Sequence, residues 1–93
     1  MSYNILSIKI KRYTPDFYLP KQNIFIEAKG FFDLADRQKH LLVREQNPDF
    51  DIRFLFVNAK NKLNKSSKTT YGQWCDKNKI LWAEKRIPKE WLI

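Results

Sequence analysis

Along the chain, hydrophobic and polar positions change period several times, and each change marks an element. Leu6, Ile8 and Ile10 alternate with Ser7, Lys9 and Lys11, a period of two that predicts a half-buried strand over Asn4 to Arg12. Thr14-Pro15 keeps the backbone extended, because the residue before proline is pushed out of the helical region, so Asp16-Phe17-Tyr18-Leu19 continues as a short strand. Pro20 to Asn23 carries turn chemistry, and Ile24 to Lys29 is the clearest strand in the sequence. Gly30 ends it. Asp33 is the expected N-cap of a helix to about Gln46, with Asp36 and Arg44 suiting the helix dipole and Asn47-Pro48 as the stop. Leu34, Leu41 and Leu42 give that helix a narrow apolar stripe, while Arg37, Lys39, His40 and Arg44 are expected on its polar surface.

Ile52 to Val57 is apolar at successive positions, which predicts a strand more central than the first. Asn58 to Lys68 is a polar loop. Thr70 to Gln73 fits a capping box opening a short helix to about Lys77 with Trp74 on its buried side. Ile80 to Ala83 reads as a last strand, and Pro88 as the first position of a terminal helical turn. The order predicts an α/β fold in one domain spanning residues 1–93: a mixed sheet opened by a β-meander, crossed by the Asp33 to Gln46 helix, then extended by further strands.

Composition narrows the function. With 93 residues the core is thin, and the net charge of +8 makes a polyanion the leading partner, since lysine and arginine gain affinity by releasing phosphate counterions. Cys75 is the single cysteine, which excludes an intrachain disulfide and a cysteine-built zinc site; with His40 as the single histidine, a cysteine nucleophile is disfavoured. No apolar run approaches the roughly 20 residues of a membrane span, and no signal peptide is visible, so a reduced, cytoplasmic setting is expected.

Strand alternation puts Phe25, Glu27 and Lys29 on one face of the Ile24 to Lys29 strand and Ile24, Ile26 and Ala28 on the other, the latter expected to pack on a helix. An acid and an ammonium thus lie together at the strand end, and Asp16 on the preceding strand can add a second carboxylate. Phosphodiester cleavage calls for this set. Two carboxylates suffice to hold a hydrated Mg2+ (or Mn2+), and a lysine can neutralise charge developing on the phosphorane. The alternative is an exposed Glu27–Lys29 ion pair of no catalytic meaning, worth at most about 1 kcal/mol. Pro15 before Asp16, the hairpin joining the acids and the helix after Gly30 favour a PD-(D/E)xK nuclease built on Asp16, Glu27 and Lys29. Lys60, Lys62, Lys65 and Lys68, four lysines in nine residues, are expected to bridge DNA phosphates, together with Arg37 and Lys39 on the helix.

Several stretches also resemble the phage endonuclease I family of Holliday-junction-resolving enzymes: Tyr13 to Phe17, Glu27-Ala28-Lys29-Gly30, Asp36 to Pro48, Tyr71 to Cys75 and Ile87 to Trp91. The resemblance covers about Tyr13 to Trp91. It implies a restriction-endonuclease-like fold, Asp16 and Glu27 as metal ligands, Ala28 offering its backbone carbonyl to the same ion, Lys29 as the catalytic lysine, and branched or duplex DNA as substrate in a phage-infected host cytoplasm. Members carry an additional N-terminal helix with a further catalytic glutamate, exchanged between subunits of a dimer. Here fifteen residues precede Asp16, none acidic, so the expectation is one metal ion rather than two. A homodimer could still form through pairing of strand one with its copy. Two rival readings are a DNA-binding module that acts through a partner subunit and a basic RNA-binding protein; the second leaves Asp16, Glu27 and Lys29 unexplained.

Overall fold

The computed structural model describes residues 14–93; the expected strand over Asn4 to Arg12 lies outside them. Four strands form one mixed sheet in the order β1 (Phe17–Leu19), β2 (Ile24–Lys29), β3 (Asp51–Phe56) and β4 (Trp82–Glu84). β1 and β2 are an antiparallel hairpin, with Phe17 opposite Ile26 and Leu19 opposite Ile24. Asn23 takes the left-handed conformation that closes it (φ 56°), a region asparagine tolerates better than most residues. β2 to β3 and β3 to β4 are parallel, with α1 (Leu34–Gln46) and α2 (Tyr71–Lys77) in the respective connections. This is the expected α/β architecture, consistent with a restriction-endonuclease-like core.

Local chemistry sets the helix ends. The Asp33 carboxylate accepts from the Asp36 N–H at 2.9 Å, and the Asn47 side chain and backbone N–H both donate to the Val43 carbonyl. Thr70 and Gln73 complete a reciprocal capping box on α2. At its start the Tyr71 and Gly72 N–H groups donate to the Asn61 and Ala59 carbonyls, so the polar loop is tied back at its end. α2 also touches the sheet closely: a Cβ on Gly72 would lie 2.7 Å from the Trp82 ring, a space only glycine leaves.

Each face of the sheet has its own apolar layer. Ile52, Phe54 and Phe56 of β3, in register with Phe25, Glu27 and Lys29 of β2, face the helices together with Phe32, Val43, Tyr71, Cys75 and Ile80. Ile24, Ile26 and Leu55 face the other way, under Trp91 of a terminal 3-10 turn (Lys89–Trp91) that follows Pro88. The expectation that the helix covers Ile24 and Ile26 is therefore corrected. α1 crosses the Glu27 face, and the C-terminal turn covers the apolar one, where Arg53 lies over the Trp91 ring at 5.1 Å.

The apolar stripe of α1 is corrected as well. Leu34 and Leu41 are exposed, whereas Arg37, His40, Leu42 and Val43 are buried. Arg37 turns inward because its guanidinium has a task there: Nη1 donates to the Phe32 carbonyl at 2.8 Å. The Phe32 N–H donates to the Tyr71 hydroxyl, so the backbone between β2 and α1 is pinned on both sides.

Candidate active site

The hairpin and the start of α1 bring the candidate residues together at the C-terminal end of β2. Asp16 stands one step before β1, which by the register puts it across from Glu27. Its Oδ2 accepts from the Ala28 N–H at 2.9 Å. In an extended strand the N–H and C=O of one residue point to the same edge, so the Ala28 carbonyl shares the edge that Asp16 occupies. Ala28 itself is exposed.

Glu27 is buried beneath α1 at 7% exposure. Lys29, on the same face, sets its ammonium 3.7 Å from Glu27 Oε1 and 2.9 Å from Asp36 Oδ2. The pair is no solvated strand-face ion pair, since both side chains are largely covered. Asp36 was expected only to serve the helix dipole. Its carboxylate is instead a partner of Lys29, because the first turn of α1 folds back over the end of β2.

His40, expected on the polar surface of α1, is fully buried against Phe54, ring centroids 4.9 Å apart and edge-on. Neither ring nitrogen hydrogen-bonds to a described residue, and Nε2 lies 3.9 Å from Glu27 Oε1, beyond hydrogen-bond length. Burial, reinforced by the Lys29 charge, lowers its pKa to about 4, so the imidazole is neutral at pH 7. Burial likewise pushes the Cys75 thiol up to about 12, which agrees with its expected inertness as a nucleophile.

The donors suit a small hard cation. Asp16 and Glu27 offer carboxylate oxygens, with the Ala28 carbonyl beside them; no cluster of three or more histidine, cysteine, aspartate or glutamate side chains able to hold a metal forms among the described residues. Such a sparse oxygen set matches magnesium, which keeps several waters, better than zinc or a fully caged calcium.

The expected DNA contacts divide into two groups. Lys60, Lys62, Lys65 and Lys68 are exposed on the loop after β3, and Lys39 is exposed on α1. Arg37, at 6% exposure with its guanidinium committed to Phe32, belongs to the interior, and its expected role on DNA is withdrawn. No described helix is long and apolar enough to cross a membrane.

Comparison with known proteins identifies the family. The model of the phage endonuclease I family matches residues 2–93. The chain is 58% identical over 76 residues to "Endodeoxyribonuclease 1" of Enterobacteria phage T3, covering 82% of this chain and 49% of that protein. It is 52% identical over 80 residues to "Endonuclease I" of Escherichia phage T7, covering 86% and 53%. The chain thus spans about half the length of the curated relatives it matches. With Asp16, Glu27 and Lys29 gathered at one strand end and the match running through nearly every residue, the chain belongs to the phage endonuclease I family.

Proposed function

We propose that this protein is a DNA endonuclease that hydrolyses phosphodiester bonds with Mg2+ or Mn2+, nicking duplexes or resolving branched DNA, and that Asp16, Glu27 and Lys29 form its centre. The observation that carries this reading is the convergence of the Asp16 carboxylate, the Ala28 backbone, Glu27 and the Lys29 ammonium at the end of one hairpin. Membership of a family whose relatives are named endonucleases supports the same chemistry.

Asp16, Glu27 and the Ala28 carbonyl would hold the cation. Bound there, it would supply Lewis-acid polarisation of phosphate oxygens and a more acidic water. The Lys29 ammonium neutralises charge gathering on the phosphorane. It does so from a fixed place, because Asp36 and Glu27 hold it between them, and an oriented charge stabilises a transition state without reorganising. Neutral His40 and Phe54 form an apolar floor under Glu27, which strengthens the electrostatics above it. The exposed lysines of the 58–68 loop hold the DNA backbone.

Two experiments test the reading. Crystals soaked in manganese should show one strong anomalous peak beside Asp16 and Glu27; two equally strong peaks within about 4 Å, completed by a third carboxylate of the same chain, would overturn the single-ion centre. Incubation with a four-way junction and with its constituent linear duplexes separates branched-DNA resolution, which cuts the junction in preference, from simple nicking, which does not.

A further inference from the structure

Beside the candidate centre lies a second feature the nuclease reading does not use. Across the sheet, Lys29 of β2, Phe56 of β3 and Glu84 of β4 stand in one transverse row. One step past that row the strands end at Gly30, Val57 and Lys85. There, Val57, Asn58, Lys60, Glu84 and Lys85 line an open cleft of about 370 Å³.

The cleft is built rather than incidental. The Val57 N–H donates to the Lys29 carbonyl at 3.0 Å, which joins its floor to the strand bearing the candidate catalytic lysine. Val57 also packs where Gly30 leaves room, with its Cγ2 3.8 Å from the place a Gly30 Cβ would take. On the far wall Lys85 sits in the left-handed region (φ 69°), which lysine rarely adopts, and its N–H donates to the Phe56 carbonyl at 2.8 Å. That conformation ends β4 and fixes the backbone that carries the Lys85 side chain. The loop wall is fixed too: Glu84 Oε2 accepts from the Ala59 N–H, and Asn58 Oδ1 accepts from the Lys60 N–H. The Glu84 carboxylate is thus engaged in holding the loop, while Lys60 and Lys85, both exposed, bring two cations to the cleft lining.

We propose that this cleft is a subsite for a DNA backbone phosphate within about three nucleotides of the scissile one, held by Lys60 and Lys85. The proposal rests on the nuclease reading and names a substrate contact that reading lacks, Lys85. Neighbouring strands lie about 4.8 Å apart, so the end of β4 is roughly 10 Å from the end of β2. A DNA strand rises about 3.4 Å per nucleotide, which places the held phosphate within about three nucleotides of the cut. With its one carboxylate, Glu84, engaged on the Ala59 N–H, and two ammonium-bearing residues in its lining, the cleft has the charge to take a monoanionic phosphodiester.

The test is a phosphate-by-phosphate binding scan. Duplex and junction oligonucleotides carry a neutral methylphosphonate at one of the three positions on either side of the cut, and affinity is measured in calcium for the wild type and for Lys85→Asn. Asparagine removes the charge yet tolerates the left-handed backbone, so the fold is kept. Lys77→Gln, on the exposed last turn of α2, serves as the charge control. For the wild type, one methylphosphonate position should weaken binding several-fold. Lys85→Asn should weaken binding to unmodified DNA about 5–10-fold at 0.1 M salt, lower the salt slope by up to roughly 0.9, and erase sensitivity at that same position. Lys77→Gln should leave the positional pattern unchanged. If the wild type and Lys85→Asn show the same positional pattern and salt slope, the cleft is not a phosphate subsite although the nuclease reading stands. A wild type that binds none of these DNAs overturns the nuclease reading and the subsite with it.

Discussion

Substituting His40 by leucine tests whether the interior beneath the candidate centre is as apolar as its packing indicates. In the folded protein burial lowers the His40 pKa to about 4, with Lys29, Lys39 and Arg44 adding to the effect and Asp36 opposing it. In the unfolded chain it returns to the ordinary imidazole value of 6.5. Between those values the unfolded state binds the proton and the folded state does not. Stability therefore rises with pH across this window and is lost as pH falls from 6.5 toward 4. At about 1.4 kcal/mol per pKa unit, His40 alone should cost about 2 kcal/mol at pH 5 and about 3 kcal/mol below the lower limit. Leucine fills a similar volume and does not titrate, so near pH 7 the two proteins should differ little. The two proteins differ at this one residue, which makes the difference between their profiles the measure. Urea unfolding from about pH 3.5 to 7.5 should show the wild type falling behind His40→Leu by those amounts. Parallel pH profiles would refute the placement of a neutral, desolvated imidazole against Phe54.

Other perturbations separate the remaining parts of the account. Lys29→Ala should lower cleavage by orders of magnitude with nearly unchanged DNA affinity, because it removes one of 18 basic residues but the ammonium that, among the described residues, is held beside Glu27; a parallel loss of binding and cleavage would argue against it. Neutralising Lys60, Lys62, Lys65 and Lys68 together should do the reverse, weakening binding and flattening its salt dependence by up to roughly 0.9 log unit per lost phosphate contact, and an unchanged salt slope would make the loop a solvated connection. Gly72→Ala should destabilise the fold by about 1–3 kcal/mol in urea titrations, since its Cβ would meet the Trp82 ring at 2.7 Å; an unchanged midpoint would show that the ring yields freely.

Much of the frame could be read from local chemistry. Pro15, the Asn23 turn, the Asp33 cap, the Asn47-Pro48 stop and the Thr70–Gln73 box act through their nearest neighbours, and each element they bound appears within a residue or two of its expected place. The catalytic candidates were legible for a similar reason: Asp16, Glu27 and Lys29 lie on one hairpin, where alternation fixes relative direction. What alternation leaves open is which layer covers which face. Both faces of β2 are covered, one by α1 and the other by Trp91 from the far end of the chain, and only tertiary packing decides the assignment.

The helix misled for a related reason. Leucine at 34 and 41 signals a buried stripe, but the interior position goes to Arg37, which satisfies the Phe32 carbonyl, and to His40, which packs as an aromatic ring. Hydrophobicity scales cannot anticipate a buried cation whose partner is a main-chain oxygen five residues earlier. Asp36 was hidden because its capping-turn position already explained it. Its contact with Lys29 depends on how α1 folds back on β2, which no spacing rule encodes.

If Asp16, Glu27 and Lys29 cut the phosphodiester backbone with a divalent cation, the conversion of supercoiled plasmid to nicked and linear forms shows it most directly. The wild-type protein in magnesium should convert the plasmid, excess chelator should stop it, and Asp16→Asn should be inactive in magnesium while still binding DNA. Cleavage that persists undiminished in chelator, or in Asp16→Asn, would contradict the account.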